Sequence, residues 1–160
     1  MSSLPLSRSA LDADAQSPLL FDALIAEDET SCTFEMTPTL DTPGVREQRP
    51  TARWPHHLPG EQVISLTGQT GGVLLRRRGL IGTGWRGHGV RISEARFSAS
   101  VLLGERVYIR AELLRARRLR DSLHTRFAFR MWKLAADGSE VETYRSQQDA
   151  IFFPGEDAAS

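Results

Sequence analysis

Residues 55–79 read PHHLPGEQVISLTGQTGGVLLRRRG. Val63, Ile64, Leu66, Val73, Leu74 and Leu75 recur at helical spacing, yet Gly68, Gly71 and Gly72 stand among them. Each internal glycine costs a helix about 1 kcal/mol relative to alanine. Pro59-Gly60 leads into the segment, and Arg76, Arg77 and Arg78 end it before Gly79. Cations suit the carboxyl end of a helix and glycine suits the position just beyond it. The pattern predicts a helix over 61–75, apolar around much of its circumference and buried on most sides. Glycine is expected there because a sheet curved around one helix needs the backbones close. Burial at ~25 cal/mol per Å² of apolar surface offsets the lost propensity.

Outward from this helix the period changes to two. Residues 88–101, HGVRISEARFSASV, alternate with a slip near Glu94 that predicts a bulge. In 105–117, Val107, Ile109, Ala111 and Leu113 share one face, and in 122–134 so do Phe127, Phe129 and Met131. Asp137-Gly138 is a hairpin turn, and 140–153 is the last strand. Upstream, 31–37 has the composition of a strand, and 18–26 reads as a short helix or a first strand. Between them and the helix, residues 38–60 carry five prolines, a loop long enough to suggest function. The expected class is α+β: a hot-dog arrangement, an antiparallel curved sheet around one central helix. Residues 1–17 are expected to be a flexible segment, 18–154 the single domain and 155–160 a flexible tail.

Composition narrows the function. Twenty basic and 20 acidic residues cancel, which offers no electrostatic attraction to nucleic acid or anionic lipid. Lys133 is the only lysine among the cations, a bias read as genome composition. The single cysteine, Cys32, excludes a disulfide within the chain and any cysteine-rich metal site, and suits a reducing cytoplasm. The opening MSSLPLSRSALDADAQSPLL lacks the apolar core of a secretory signal, and no run of ~18 apolar residues offers a membrane span.

The residues carry a resemblance. Pro59-Gly60, Gln69 and Gly71-Gly72-Val73-Leu74 match without a gap the central helix of the β-hydroxyacyl-ACP dehydratases of fatty acid synthesis. Ala95-Arg96-Phe97, Val101, Gly104 and Glu112-Leu113-Leu114 match the strand–turn–strand that follows in that family. The resemblance covers about residues 55–153 and implies the hot-dog fold. Family catalysis uses a histidine from one subunit and a glutamate on this helix of the other. The glutamate position falls on Ser65 here, and the family's histidine lies further upstream than His57. His57-Leu58-Pro59-Gly60 instead resembles the His-x-Pro-Gly of the A-factor synthase family, also hot-dog, whose His-to-Glu spacing is that of His57 and Ser65. The histidine carries over and the carboxylate does not.

These matches set the candidate site. His57 is the expected base, since removing a proton next to a thioester carbonyl needs a group that titrates near neutrality. His56 is its neighbour in the loop. Ser65 can orient a water or a substrate hydroxyl. Glu61, one turn earlier, is either a substitute carboxylate or a charge that favours the helix dipole. Glu61, Ser65 and Gln69 form a polar stripe on an otherwise apolar helix, which needs partners. Gly60, Gly72, Trp85 and Arg96 complete the substrate-binding candidates, with Gly82, Gly84, Gly87 and Gly89 in a loop beside Trp85. Arg115, Arg117, Arg118 and Arg120 either meet a phosphopantetheine arm or an acidic carrier protein, or form a solvated hairpin end. The expected function is dehydratase-like chemistry on an acyl thioester of carrier protein or coenzyme A, in a homodimer, with no metal or organic cofactor. Thioester hydrolysis and a non-catalytic acyl-binding or assembly role are the alternatives.

Overall fold

The computed structural model describes residues 4–11 and 18–155. Within the amino-terminal segment, β1 (Leu6–Ser7) pairs with β2 (Ala23–Glu27), and α1 (Arg8–Leu11) makes one turn. Strand β3 (Ser31–Met36) follows, so 18–26 resolves as the approach to a strand, with Leu19 and Phe21 buried just before it. Then come α2 (Gly60–Arg77), β4 (Arg86–Phe97), β5 (Val107–Leu119), β6 (Ser122–Leu134) and β7 (Glu140–Phe153). Residues 156–160 lie outside the described part.

All seven strands form one antiparallel sheet in the order β1-β2-β3-β5-β6-β7-β4. The long hairpins β5–β6 and β6–β7 follow the period-two patterns. Val107, Ile109, Ala111, Phe127, Phe129 and Met131 are buried on the face that meets α2. The Asp137-Gly138 turn closes as expected, with the Ala135 N–H donating to Ser139 O at 2.8 Å and Gly138 at φ 82°.

Strand β4 differs from its expected half-buried alternation. It lies at the sheet edge beside β7, and nearly every residue is exposed, Val90 at 59% and Phe97 at 54%. Its register slips twice, between Gly89 and Arg91 and between Ser93 and Arg96, with Glu94 at φ 54°. The predicted bulge is therefore present. Apolar alternation in an edge strand records a surface that needs covering, not a face already packed.

Helix α2 also departs in part from expectation. Thr70 to Leu75 are all buried, but Glu61, Ile64, Ser65 and Gly68 in its first half share an exposed face. At the carboxyl end the Arg78, Gly79 and Leu80 N–H groups donate to Leu74, Arg76 and Leu75 carbonyls, with Gly79 at φ 65° as the sequence implied. The glycines divide by role. A Cβ on Gly71 would stand 3.3 Å from Phe129 and 3.4 Å from Phe127, so this one glycine permits the close approach to the sheet. Gly68 has nothing within 4 Å, and Gly72 meets only the guanidinium of Arg76 at 3.8 Å. Those two are not packed on the sheet.

Candidate functional site

Two cavities open beneath α2 along strands β6 and β7. The first, at the amino end of the helix, has a volume of about 330 Å³ and is walled by His57, Gly60, Val63, Phe97, Met131 and Tyr144, with Thr143 and the 98–101 segment. The second, of about 310 Å³, lies further along α2. Its helix wall is Ser65, Gly68, Gly71 and Gly72, and its floor includes Phe127, Phe129 and Phe152. Side chains on one face of β6 (Met131, then Phe129 and Phe127) run from the first into the second. In the wall of the second cavity Gln148 Nε2 donates to Thr67 Oγ1 at 2.8 Å and to Ser146 Oγ at 3.1 Å.

The proline-rich loop fixes His57 tightly. Its N–H donates to Gln48 Oε1 at 3.0 Å, and Gln48 Nε2 donates to its carbonyl at 2.7 Å. The backbone also bridges to Leu102. That 102–105 turn is itself tied down. Burial raises the Glu105 carboxyl, but hydrogen bonds from Lys133 and the Leu102 N–H outweigh it and hold the group below its ordinary range. His57 Nδ1 lies 3.0 Å from Pro55 O. A carbonyl only accepts, so Nδ1 carries a proton, and in the neutral ring Nε2 is then the acceptor. This is the tautomer a general base requires.

The structure distributes the other sequence candidates. His56 does not line either cavity; its Nδ1 meets Val45 O at 3.0 Å and pins the loop. Gly60 joins His57 in the first cavity. Ser65, Gln69, Gly72 and Trp85 belong to the second, so Ser65 and His57 of this chain line different cavities. The Ser65 hydroxyl donates back to Glu61 O at 3.1 Å. Glu61 lines neither cavity: its carboxylate leans toward Gly44, 3.3 Å from where a Cβ there would stand. Gln69 has found structural partners, accepting from Leu20 N at 2.8 Å and donating to Pro18 O at 2.9 Å. Arg96 sits after the β4 bulge opposite Arg145, exposed and away from both cavities. Arg118 stacks over Trp85 at 5.1 Å and donates to Leu80 O, while Arg115 and Arg117 border a separate surface cleft with Arg126 and Asp149.

Sequence reasoning missed His88 and Gln148 in the second cavity and Thr143 and Tyr144 in the first. A signal was available for β7. Tyr144, Ser146 and Gln148 occupy alternate positions on the face that should be apolar core, continuing into Ala150 and Phe152. Polar residues at core positions of a strand mark a lined cavity.

No protein family model and no curated protein sequence matches the chain. Solved structures do. The dehydratase heterocomplex ApeI:P from Xenorhabdus doucetiae superposes with a TM-score of 0.63 at 18% identity, covering 98% of this chain and 95% of that one. A thioesterase family protein from Silicibacter pomeroyi gives 0.56 at 14% identity, with 82% and 84% covered. A mutant thioesterase from Pseudomonas aeruginosa gives 0.54 at 18% identity, with 82% and 81% covered. The chain has the hot-dog fold. Among its described residues no helix is long and apolar enough to cross a membrane.

Proposed function

We propose that this hot-dog protein acts on an acyl thioester carried by acyl carrier protein or coenzyme A, by dehydratase-like proton transfer. The observation that carries this reading is a pair of neighbouring cavities along α2, one lined by His57 and the other floored by phenylalanines. The phenylalanine-floored cavity suits an acyl chain. His57 Nε2 takes a proton from the carbon next to the thioester carbonyl. That electron pair becomes the new double bond as the carbon–oxygen bond at the β position breaks. The oxygen leaves as water, taking its second proton from the imidazolium, because no Asp or Glu among the described residues lines either cavity. The positive end of α2 at Gly60 favours charge developing on the thioester oxygen.

Assembly as a homodimer belongs to the same reading. The exposed β4 edge and the exposed face of α2 at Ile64 and Gly68 both need cover. The heterocomplex among the similar structures makes an unlike partner the alternative to a second copy.

Thioester hydrolysis is the second reading, supported by the thioesterases among the similar structures and by an exposed Ser65 at the second cavity. Incubation with 3-hydroxydecanoyl and decanoyl thioesters of N-acetylcysteamine, followed by mass spectrometry, separates them. Loss of water from the first supports the dehydratase reading. Free acid from either supports hydrolysis. Bound but unchanged thioesters point to an acyl-binding or assembly subunit.

A further inference from the structure

The wall of the first cavity contains two hydroxyls that the fold leaves without partners. Tyr144 is 1% exposed and Thr143 is 2% exposed, and among the described residues neither side-chain oxygen makes a hydrogen bond. Adjacent residues on a strand normally point to opposite faces. Here both are buried because β7 bulges: Glu142 opposes Trp132 and Tyr144 opposes Met131, leaving Thr143 as the extra residue. The carbonyl of Thr143 is held by the Ser98 N–H at 2.9 Å, which fixes the bulge against the end of β4. Bulges of this kind re-aim side chains and recur next to active sites. The Tyr144 ring is fixed as well, its centroid 4.7 Å from that of Phe97, which in turn lies against Gly60 at the amino end of α2.

A buried hydroxyl without a partner carries an uncompensated desolvation cost. Both hydroxyls belong to residues that wall the cavity His57 also lines, so the cavity wall carries two unfilled hydrogen-bonding groups. Tyrosine and threonine hydroxyls both donate and accept, so the pair complements a group that does the same. A substrate hydroxyl fits this description. An alkyl chain does not.

We propose that Thr143 and Tyr144 form the pocket for the β-oxygen of a 3-hydroxyacyl thioester, making the first cavity selective for hydroxylated over saturated chains. This rests on the acyl-thioester reading above. Tyr144 and Thr143 bind the oxygen and hold the adjoining carbon toward His57; the proton is moved by His57.

Calorimetry with two unreactive ligands tests it. These are the amide isosteres of 3-hydroxydecanoyl-pantetheine and decanoyl-pantetheine, in which nitrogen replaces the thioester sulfur. The wild type should bind the hydroxylated ligand roughly 10-fold more tightly, the value of a hydrogen bond in a dry site. Tyr144→Phe should bring the two affinities together while leaving the decanoyl affinity unchanged, and Thr143→Val should narrow the gap. Equal affinities in the wild type, or a gap that survives both substitutions, overturn the proposal while leaving the acyl reading intact. Failure to bind either ligand overturns both. If Tyr144→Phe does not fold, the wild-type ratio and Thr143→Val decide.

Discussion

At the scale of single residues, His57 is held by hydrogen bonds within an irregular loop. Nothing in a one-dimensional pattern announces that Gln48 clasps both backbone groups of His57, or that Pro55 O sets its tautomer. Those partners are nine and two positions away in an irregular loop, where spacing carries no period. The polar stripe was legible as a stripe, but its members diverge. Gln69 holds the chain entering β2, Glu61 leans on the Gly44 turn, and only Ser65 retains a hydroxyl at a cavity. Ser65→Glu restores the carboxylate that the resembled dehydratases carry at this helix position. Because Ser65 is exposed, the longer side chain fits without repacking. Water elimination from a 3-hydroxyacyl thioester should rise in this variant. No change in rate, with the fold intact, would count against a dehydratase ancestry for the site.

At the scale of elements, glycine roles follow from contacts and not from counting. Gly71→Leu drives a side chain into Phe127 and Phe129 and should cost ~1–3 kcal/mol, seen as a lowered melting temperature. Gly72→Leu should cost less, since only the movable end of Arg76 is near, yet it should fill part of the second cavity and weaken acyl binding. Equal melting of Gly71→Leu and wild type contradicts this packing. The carboxyl end of α2 is anchored to β2 by Arg77, whose Nε lies 3.1 Å from Glu27 Oε2. That hydrogen bond first, then the charges of Arg77 and Arg78, hold the Glu27 carboxyl below its ordinary 4.5 despite opposing burial. Next to it, hydrogen bonds from the Ser31 hydroxyl and the Thr30 N–H bring Asp28 down to about 2. Both groups are lowered in the folded state. Their stabilisation is therefore full above the unfolded values and disappears as pH falls through the folded ones. Melting temperature should drop between pH 4.5 and about 2, and Glu27→Gln should lower the plateau and flatten the upper part of that drop. An unchanged acid profile in Glu27→Gln removes the anchor from the account.

At the scale of the whole molecule, the sheet was largely legible. Strands β5, β6 and β7 are long, their inward faces are apolar at every second residue, and Asp137-Gly138 fixes one register. Strand β4 was legible as a strand but not as an edge, because period two reports which side is apolar and not whether anything covers it. Its 12 residues leave Val90, Ile92 and Phe97 exposed along an open edge, the surface the proposed homodimer covers. Light scattering at micromolar concentration should give twice the chain mass of 17.8 kDa; a persistent 17.8 kDa species contradicts the pairing.

The account as a whole turns on His57 Nε2 as the base that starts the reaction. The most direct measurement is the rate of water loss from 3-hydroxydecanoyl-N-acetylcysteamine with the wild type and with His57→Ala, at saturating thioester. The prediction is a fall of ~10²–10⁴-fold in turnover, the usual contribution of a general base, with acyl affinity little changed because the phenylalanine floor supplies it. Equal rates in the two proteins, or no water loss by the wild type, would contradict it.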